Sequence, residues 1–216
     1  MKMYVSIIAV ILSVATLFPA SCYAQKDADA KRVLDRVSQK YKSLKAIEAD
    51  FSLAMENENA GIQESQIGKI FMQSDMYRIE TEDIIRTCDK KSVWTCFIEE
   101  EEVQVNEFDP EEGELSPAQL FRIYEEGFKY GINEKESGSG MTVIDLVPED
   151  KDNPYFKIRL SVNNRTNMID KGVVLEKSGT RYTYNMTNIN TGRSFESDFF
   201  SLKESDYPGF EWTDLR

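Results

Sequence analysis

The chain has 216 residues, a formal charge of −12 at pH 7, three cysteines and no histidine. An acidic surface of this kind repels nucleic acid and anionic lipid headgroups. Without imidazole, Ser-His and Cys-His nucleophile pairs are excluded, and two or three cysteines alone cannot build an ordinary structural zinc site.

In chain order, Lys2, the apolar run from Val5 to Phe18 and the small residues ending at Ala24 follow the layout of a cleavable secretion signal. The run is too short to span a bilayer comfortably, so residues 1–24 are expected to be removed. Ala20-Ser21-Cys22 also resembles the end of a bacterial lipoprotein box, which gives lipidation at Cys22 as the alternative; Pro19 stands where that box carries Leu. Residues 25–216 show one composition regime, and their length suits a single domain with a substantial core.

Ala30, Val33, Leu34, Val37, Tyr41 and Leu44 recur at helical spacing, with Asp27 and Asp29 at the start and Lys40 and Lys42 near the end, where the macrodipole favours them. Phe51, Leu53 and Met55 then alternate with Ser52, Ala54 and Glu56, the period of a half-buried strand, and Asn57 to Gly61 reads as its turn. Gln66 to Gln73, Met76 to Thr81, Ile84 to Cys88, Val93 to Ile98 and the Val103–Val105 pair continue as short antiparallel strands.

Ser116-Pro117-Ala118-Gln119 predicts a second helix. Ser116 fits the N-cap, Pro117 the first helical position and Gln119 a capping box, and Leu120, Phe121, Ile123, Tyr124 and Phe128 crowd one side. Met141 to Val147, Tyr155 to Asn163, Gly172 to Lys177, Thr180 to Ile189 and Phe199 to Leu202 complete a set of ten or eleven strands.

Asp89 to Ser92 reads as a hairpin tip that sets Cys88 opposite Val93 and Cys96 opposite Ile85. That register puts the two thiols on opposite faces, beyond disulfide reach. The acidic runs Glu99 to Glu102 and Asp109 to Glu114 lack the spaced ligands and glycine of a calcium loop. Nothing selects two of the many carboxylates as a glycosidase pair, and no Ser-x-x-Lys element is present. The aromatic and Met residues either fill a core or line an apolar pocket beneath the helices.

Ala49-Asp50-Phe51, Gly68-Lys69-Ile70-Phe71-Met72, Met76-Tyr77-Arg78-Ile79, the Asp89 to Trp94 segment and Phe108-Asp109-Pro110 resemble, in this order, the LolA family of periplasmic lipoprotein carriers. Leu146-Val147-Pro148, Phe156 to Leu160, Tyr207-Pro208-Gly209 and Asp214-Leu215-Arg216 extend the resemblance over nearly all of the mature chain. It implies an α+β fold, an unclosed antiparallel half-barrel with helices over an apolar concave face, and a periplasmic protein with no chemistry and no cofactor. The implied cargo is lipoprotein acyl chains or other lipids. The implied partners are an inner-membrane releasing transporter and an outer-membrane acceptor, and a monomer is expected. A lipid-sensing or regulator-binding envelope module on the same half-barrel is the alternative.

Carried onto this sequence, Phe71, Tyr77 and Ile79 fall on the cavity wall, while Leu34, Val37, Leu120, Ile123 and Tyr124 form the lid. Strand alternation adds Ile144, Leu146, Phe156 and Ile158 to the wall. Enterobacterial members carry basic residues and Pro where this chain reads Gln73-Ser74-Asp75, so the one-way transfer tied to those residues is not implied here.

Overall fold

The computed structural model describes residues 27–109 and 127–216. The signal segment and the helix expected after Ser116, with Leu120, Ile123 and Tyr124, lie outside the described residues.

Helix α1 (Ala28–Ser43) starts where Asp27 breaks into extended backbone and its Oδ1 accepts the Asp29 N–H at 2.8 Å. It ends at Leu44, which turns extended after its N–H reaches the Tyr41 carbonyl. Ala30, Val33, Leu34 and Val37 are buried, so the sequence periodicity marks the packed face.

The strands are β1 (Ile47–Asn57), β2 (Ile62–Gln73), β3 (Met76–Thr81), β4 (Ile84–Cys88), β5 (Ser92–Phe97) and β6 (Glu102–Glu107), followed by β7 (Phe128–Ile132), β8 (Met141–Pro148), β9 (Tyr155–Asn163), β10 (Met168–Glu176), β11 (Arg181–Asn190) and β12 (Glu211–Asp214). They form one sheet in the order β12-β6-β5-β4-β3-β2-β1-β11-β10-β9-β8-β7. β12 and β7 are its edges, so the sheet is unclosed. All neighbours are antiparallel except β12 and β6. The longest strand pairings, β1 with β2 and with β11, put β1 at the centre and join the two meanders.

Three expectations change. Among the described residues the sheet has twelve strands, because Phe128 opens β7 rather than extending a helix, and the short β12 adds an edge. Phe199 to Leu202 is not a strand: Ser197–Phe200 is a 3₁₀ turn lying over the sheet. The added parallel edge departs from a pure meander; it is reached by a C-terminal segment that crosses the outer face.

Each face of the sheet packs its own core. On the inner face the α1 residues meet Ile47, Ala49, Ile70, Met72, Tyr77, Ile144, Leu146, Ile158, Leu160 and Val162 in one cluster. On the outer face Cys96, Val103 and Val105 pack with Leu202, Tyr207, Phe210 and Trp212. The β4–β5 register is the expected one, Cys88 against Val93 and Ile85 against Cys96. The two thiols accordingly sit in different clusters; both are unpaired and wholly buried.

Candidate functional site

Strand pairing sorts side chains by face, because successive residues point to opposite sides. Starting from Ile47 and Ala49, the inner face takes Phe51 and Leu53 on β1, their partners Met186 and Tyr184 on β11, and Ile70 and Met72 on β2. From there it runs through Tyr77 and Ile79 on β3 in one direction. In the other it runs through Val174 on β10, Leu160 and Ile158 on β9, Ile144 and Leu146 on β8, and Ile132 and Tyr130 on β7. The wall is therefore apolar across eight adjacent strands. On β4 and β5 the buried Cys88–Val93 pair continues the wall beside Tyr77, and beyond it Arg86, Thr95 and Gln104 in register turn the face polar.

The wall is not uniformly packed. Ile144, Leu146 and Ile158 are wholly buried near α1, whereas Phe51, Leu53, Met55, Tyr182, Tyr184 and Met186 are only half-buried. Gly68 lets the Phe51 ring lie against the backbone of β2: a Cβ there would meet a Phe51 ring carbon at 2.8 Å and the Glu80 carbonyl at 2.2 Å. Gly172, opposite Tyr184, has the reverse surroundings, since its Cβ would meet only Leu160 Cδ2 at 3.9 Å. Burial pushes the Tyr182 and Tyr184 phenols up, and both stay neutral at physiological pH.

Helix α1 lies over β7 and β10 and is pinned at its ends. Asp27 donates its N–H to the Tyr130 carbonyl at 3.2 Å, and its Oδ2 accepts the Ile132 N–H at 3.3 Å. Near the other end, the Tyr41 hydroxyl accepts the Ile169 N–H at 3.3 Å, and burial raises its pKa. Asp27 thus caps a helix and satisfies an edge strand together. Burial works to raise the pKa of its carboxyl, but the backbone N–H groups that it accepts hold it below the usual range.

Two open pockets flank the last turn of α1. One of about 340 Å³ lies toward β1–β4, with Tyr41, Lys42, Leu44, Lys45, Ile47, Met72, Asp75 and Lys90 on its walls. The other, about 770 Å³, lies toward β10 and β11, with Lys40, Arg165, Lys171, Met168, Met186 and Ile189. On the outer face, Asp145 takes a bidentate contact from Arg159 at 2.6 and 3.1 Å, with Lys157 at 3.6 Å and Asn133 at 3.3 Å. Burial works to raise the Asp145 pKa, but these donors hold the carboxyl below its usual range. The described residues contain no group of three or more His, Cys, Asp or Glu that could hold a metal ion.

Of the residues singled out from sequence, Leu34, Val37, Tyr77, Ile79, Ile144, Leu146 and Ile158 come together in the inner cluster. Two do not. Phe71 points outward and packs edge-on against Phe195 and Phe199, with centroids 5.6 and 5.1 Å away. Phe156 is 47% exposed because the β9–β10 register shifts between Leu175 and Glu176, pairing Glu176 with Tyr155. Tyr155 takes the inward place instead, stacked on Phe128 at 6.3 Å. Sequence reasoning also left Phe51, Tyr182, Tyr184 and Met186 out of the wall. Alternation counted from Ala49 through the Asn57–Gly61 turn would have found Phe51, and the cross-strand pairing then gives Met186.

At the Gln73-Ser74-Asp75 turn, Gln73 faces outward and its amide pairs with the Phe195 backbone in both directions, each at 2.9 Å. Ser74 adopts φ 56°, so the turn is closed by a left-handed residue.

Sheet and helix together define an unclosed α+β half-barrel built round an apolar interior. The family model described as "Outer membrane lipoprotein carrier protein LolA" matches residues 42–203, and the chain belongs to that family. Among solved structures, an uncharacterized conserved protein from Thermus thermophilus superposes with a TM-score of 0.55 at 10% identity, over 86% of this chain and 99% of that chain. A LolA superfamily protein from Nitrosomonas europaea matches with TM-score 0.46, 8% identity, and 80% and 97% coverage. Lipoprotein LppX from Mycobacterium tuberculosis matches with TM-score 0.47, 8% identity, and 79% and 100% coverage. No curated protein matches.

Proposed function

We propose that the chain is an envelope carrier that takes up lipoprotein acyl chains on its inner face and passes them toward the outer membrane without catalysis. The observation that carries this reading is the apolar wall across eight strands, half of it tightly packed under α1 and half of it only half-buried. Each methylene removed from water is worth about 0.8 kcal/mol, so an acyl chain needs a sleeve to cross an aqueous space.

In this reading residues 1–24 are a signal removed on export to the periplasm, and residues 25–216 are the carrier domain. The wall residues in contact with cargo are Tyr77, Ile79, Ile144, Leu146 and Ile158, joined by Phe51, Tyr182, Tyr184 and Met186. Leu34 and Val37 of α1 form part of the lid. Asp27 and Tyr41 tie the lid to the sheet through backbone-directed hydrogen bonds near its ends; cargo or a membrane transporter shifts it by differential affinity, and an outer-membrane acceptor draws the cargo off.

Native mass spectrometry of protein purified from its own envelope tests the reading. It is expected to carry lipid or lipoprotein adducts and to bind a fluorescent fatty-acid probe saturably. Adduct-free protein that ignores the probe would overturn it.

A further inference from the structure

The smaller pocket beside α1 combines two chemistries. Its floor is Leu44, Ile47 and Met72, and Ile47 and Met72 are cross-strand partners within the inner wall, so the floor runs on into the half-barrel. Its rim carries three exposed lysines from two parts of the chain: Lys42 and Lys45 at the end of α1, and Lys90 at the β4–β5 tip. Asp75 is the one carboxylate among the described residues lining it and lies 3.6 Å from Lys90.

The placement of Lys90 is built into the hairpin. Lys90 adopts φ 82°, and Asp89 Oδ1 accepts the N–H groups of Lys91 and Ser92, each at 2.9 Å, fixing the tip over the pocket. Charge at the opposite end of the sheet runs the other way. The turns 58–61, 82–83, 98–101, 149–154 and 177–180 bring together nine carboxylates and two lysines. Cations also ring the larger pocket, but there Asn163, Asn185, Thr187 and Asn188 interrupt the apolar lining, whereas the smaller pocket sets its lysines around an unbroken apolar floor in a chain of charge −12.

We propose that this pocket binds the anionic head of a single-chain amphiphile, with the alkyl chain leaving over Ile47 and Met72 onto the inner wall. The proposal rests on the acyl-chain reading and adds a headgroup preference to it. An amphiphile taken singly, rather than an anionic bilayer, is the occupant, because the whole chain's negative charge opposes docking on a like-charged surface.

The test compares lysophosphatidylglycerol with lysophosphatidylcholine of the same chain length, each below its micelle concentration and at low salt, by calorimetric titration of the mature protein. Glycerol 3-phosphate, the head without the chain, is the third ligand. Three exposed cations favour the anionic lipid by about tenfold, and raised salt shrinks that preference. The K42Q/K45Q/K90Q triple variant is expected to bind both lipids alike, the K40Q/R165Q/K171Q variant of the neighbouring pocket to keep the preference, and glycerol 3-phosphate alone not to bind. Equal affinity of the unaltered protein for both lipids, or a preference that survives the first triple variant, overturns the headgroup site and leaves the acyl-chain reading standing. Failure to bind either lipid overturns both.

Discussion

Gly68 and Gly172 face the same interior with opposite tolerances. A methyl group at Gly68 runs into the Glu80 carbonyl and the Phe51 ring, so Gly68→Ala forces β3 or Phe51 to move. We expect it to lower stability by about 1–3 kcal/mol, read from denaturant unfolding. A Cβ at Gly172 makes only an ordinary van der Waals contact with Leu160, so Gly172→Leu is expected to be tolerated better than Gly68→Ala while weakening acyl-probe binding several-fold, read by unfolding and by fluorescence titration. Asp145 supplies a pH signature. Its folded carboxyl titrates below the unfolded value, so its contribution is complete above about pH 4 and is lost as pH falls through the folded pKa. Asp145→Asn should therefore lower the melting temperature at pH 7, and the gap to the unaltered protein should close progressively in acid. At this scale the sequence resolved the thiols, because hairpin parity alone places Cys88 and Cys96. The family resemblance put Phe71 on the wall, and alternation could not correct it, because Ile70 and Phe71 are both apolar and both faces of β2 are covered. Phe156 was misplaced by the register shift beside Glu176, which no residue type announces.

Helix α1 was legible almost residue by residue, since its buried stripe and its Asp cap both leave marks in sequence. Its mode of attachment was not, because the same Asp27 carboxylate also reaches the edge of β7, 105 positions away in the chain. Asp27→Ala removes the cap and the edge contact together, with an expected cost of about 1–2 kcal/mol, and raises hydrogen exchange in the first turn of α1 and at Ile132. Exchange that rises in the helix alone would mean that the edge contact carries no weight. The hairpins of β1–β6 were readable from their turn residues. β7 was hidden by the apolar residues before it, which extend a helical pattern up to Phe128. β12 was hidden because a four-residue strand without strict alternation gives no period, and only its parallel pairing to β6 defines it.

At the level of the molecule, the two halves of the sheet are stabilised differently. The β2–β6 half is backed on its outer face by the C-terminal segment: Gln73 grips Phe195, Arg78 donates to the Phe199 carbonyl at 3.3 Å, and Arg216 reaches Ser92 at 3.1 Å. The β7–β10 half is held on its inner face by α1. Any opening of the interior is therefore expected through α1 and not through the strapped half. The meander of short strands behind an amphipathic helix was visible in the residues and the half-barrel followed from the family resemblance, but the doubled core was in neither, because the segment that creates it resembles one more strand.

If acyl chains occupy the inner face, a diazirine fatty acid photo-crosslinks to it in the mature protein. Saturable labelling of peptides containing Phe51, Ile158, Tyr182 and Tyr184 is the predicted result. Labelling confined to the outer-face segment from Phe195 to Trp212, or labelling that never saturates, would contradict it.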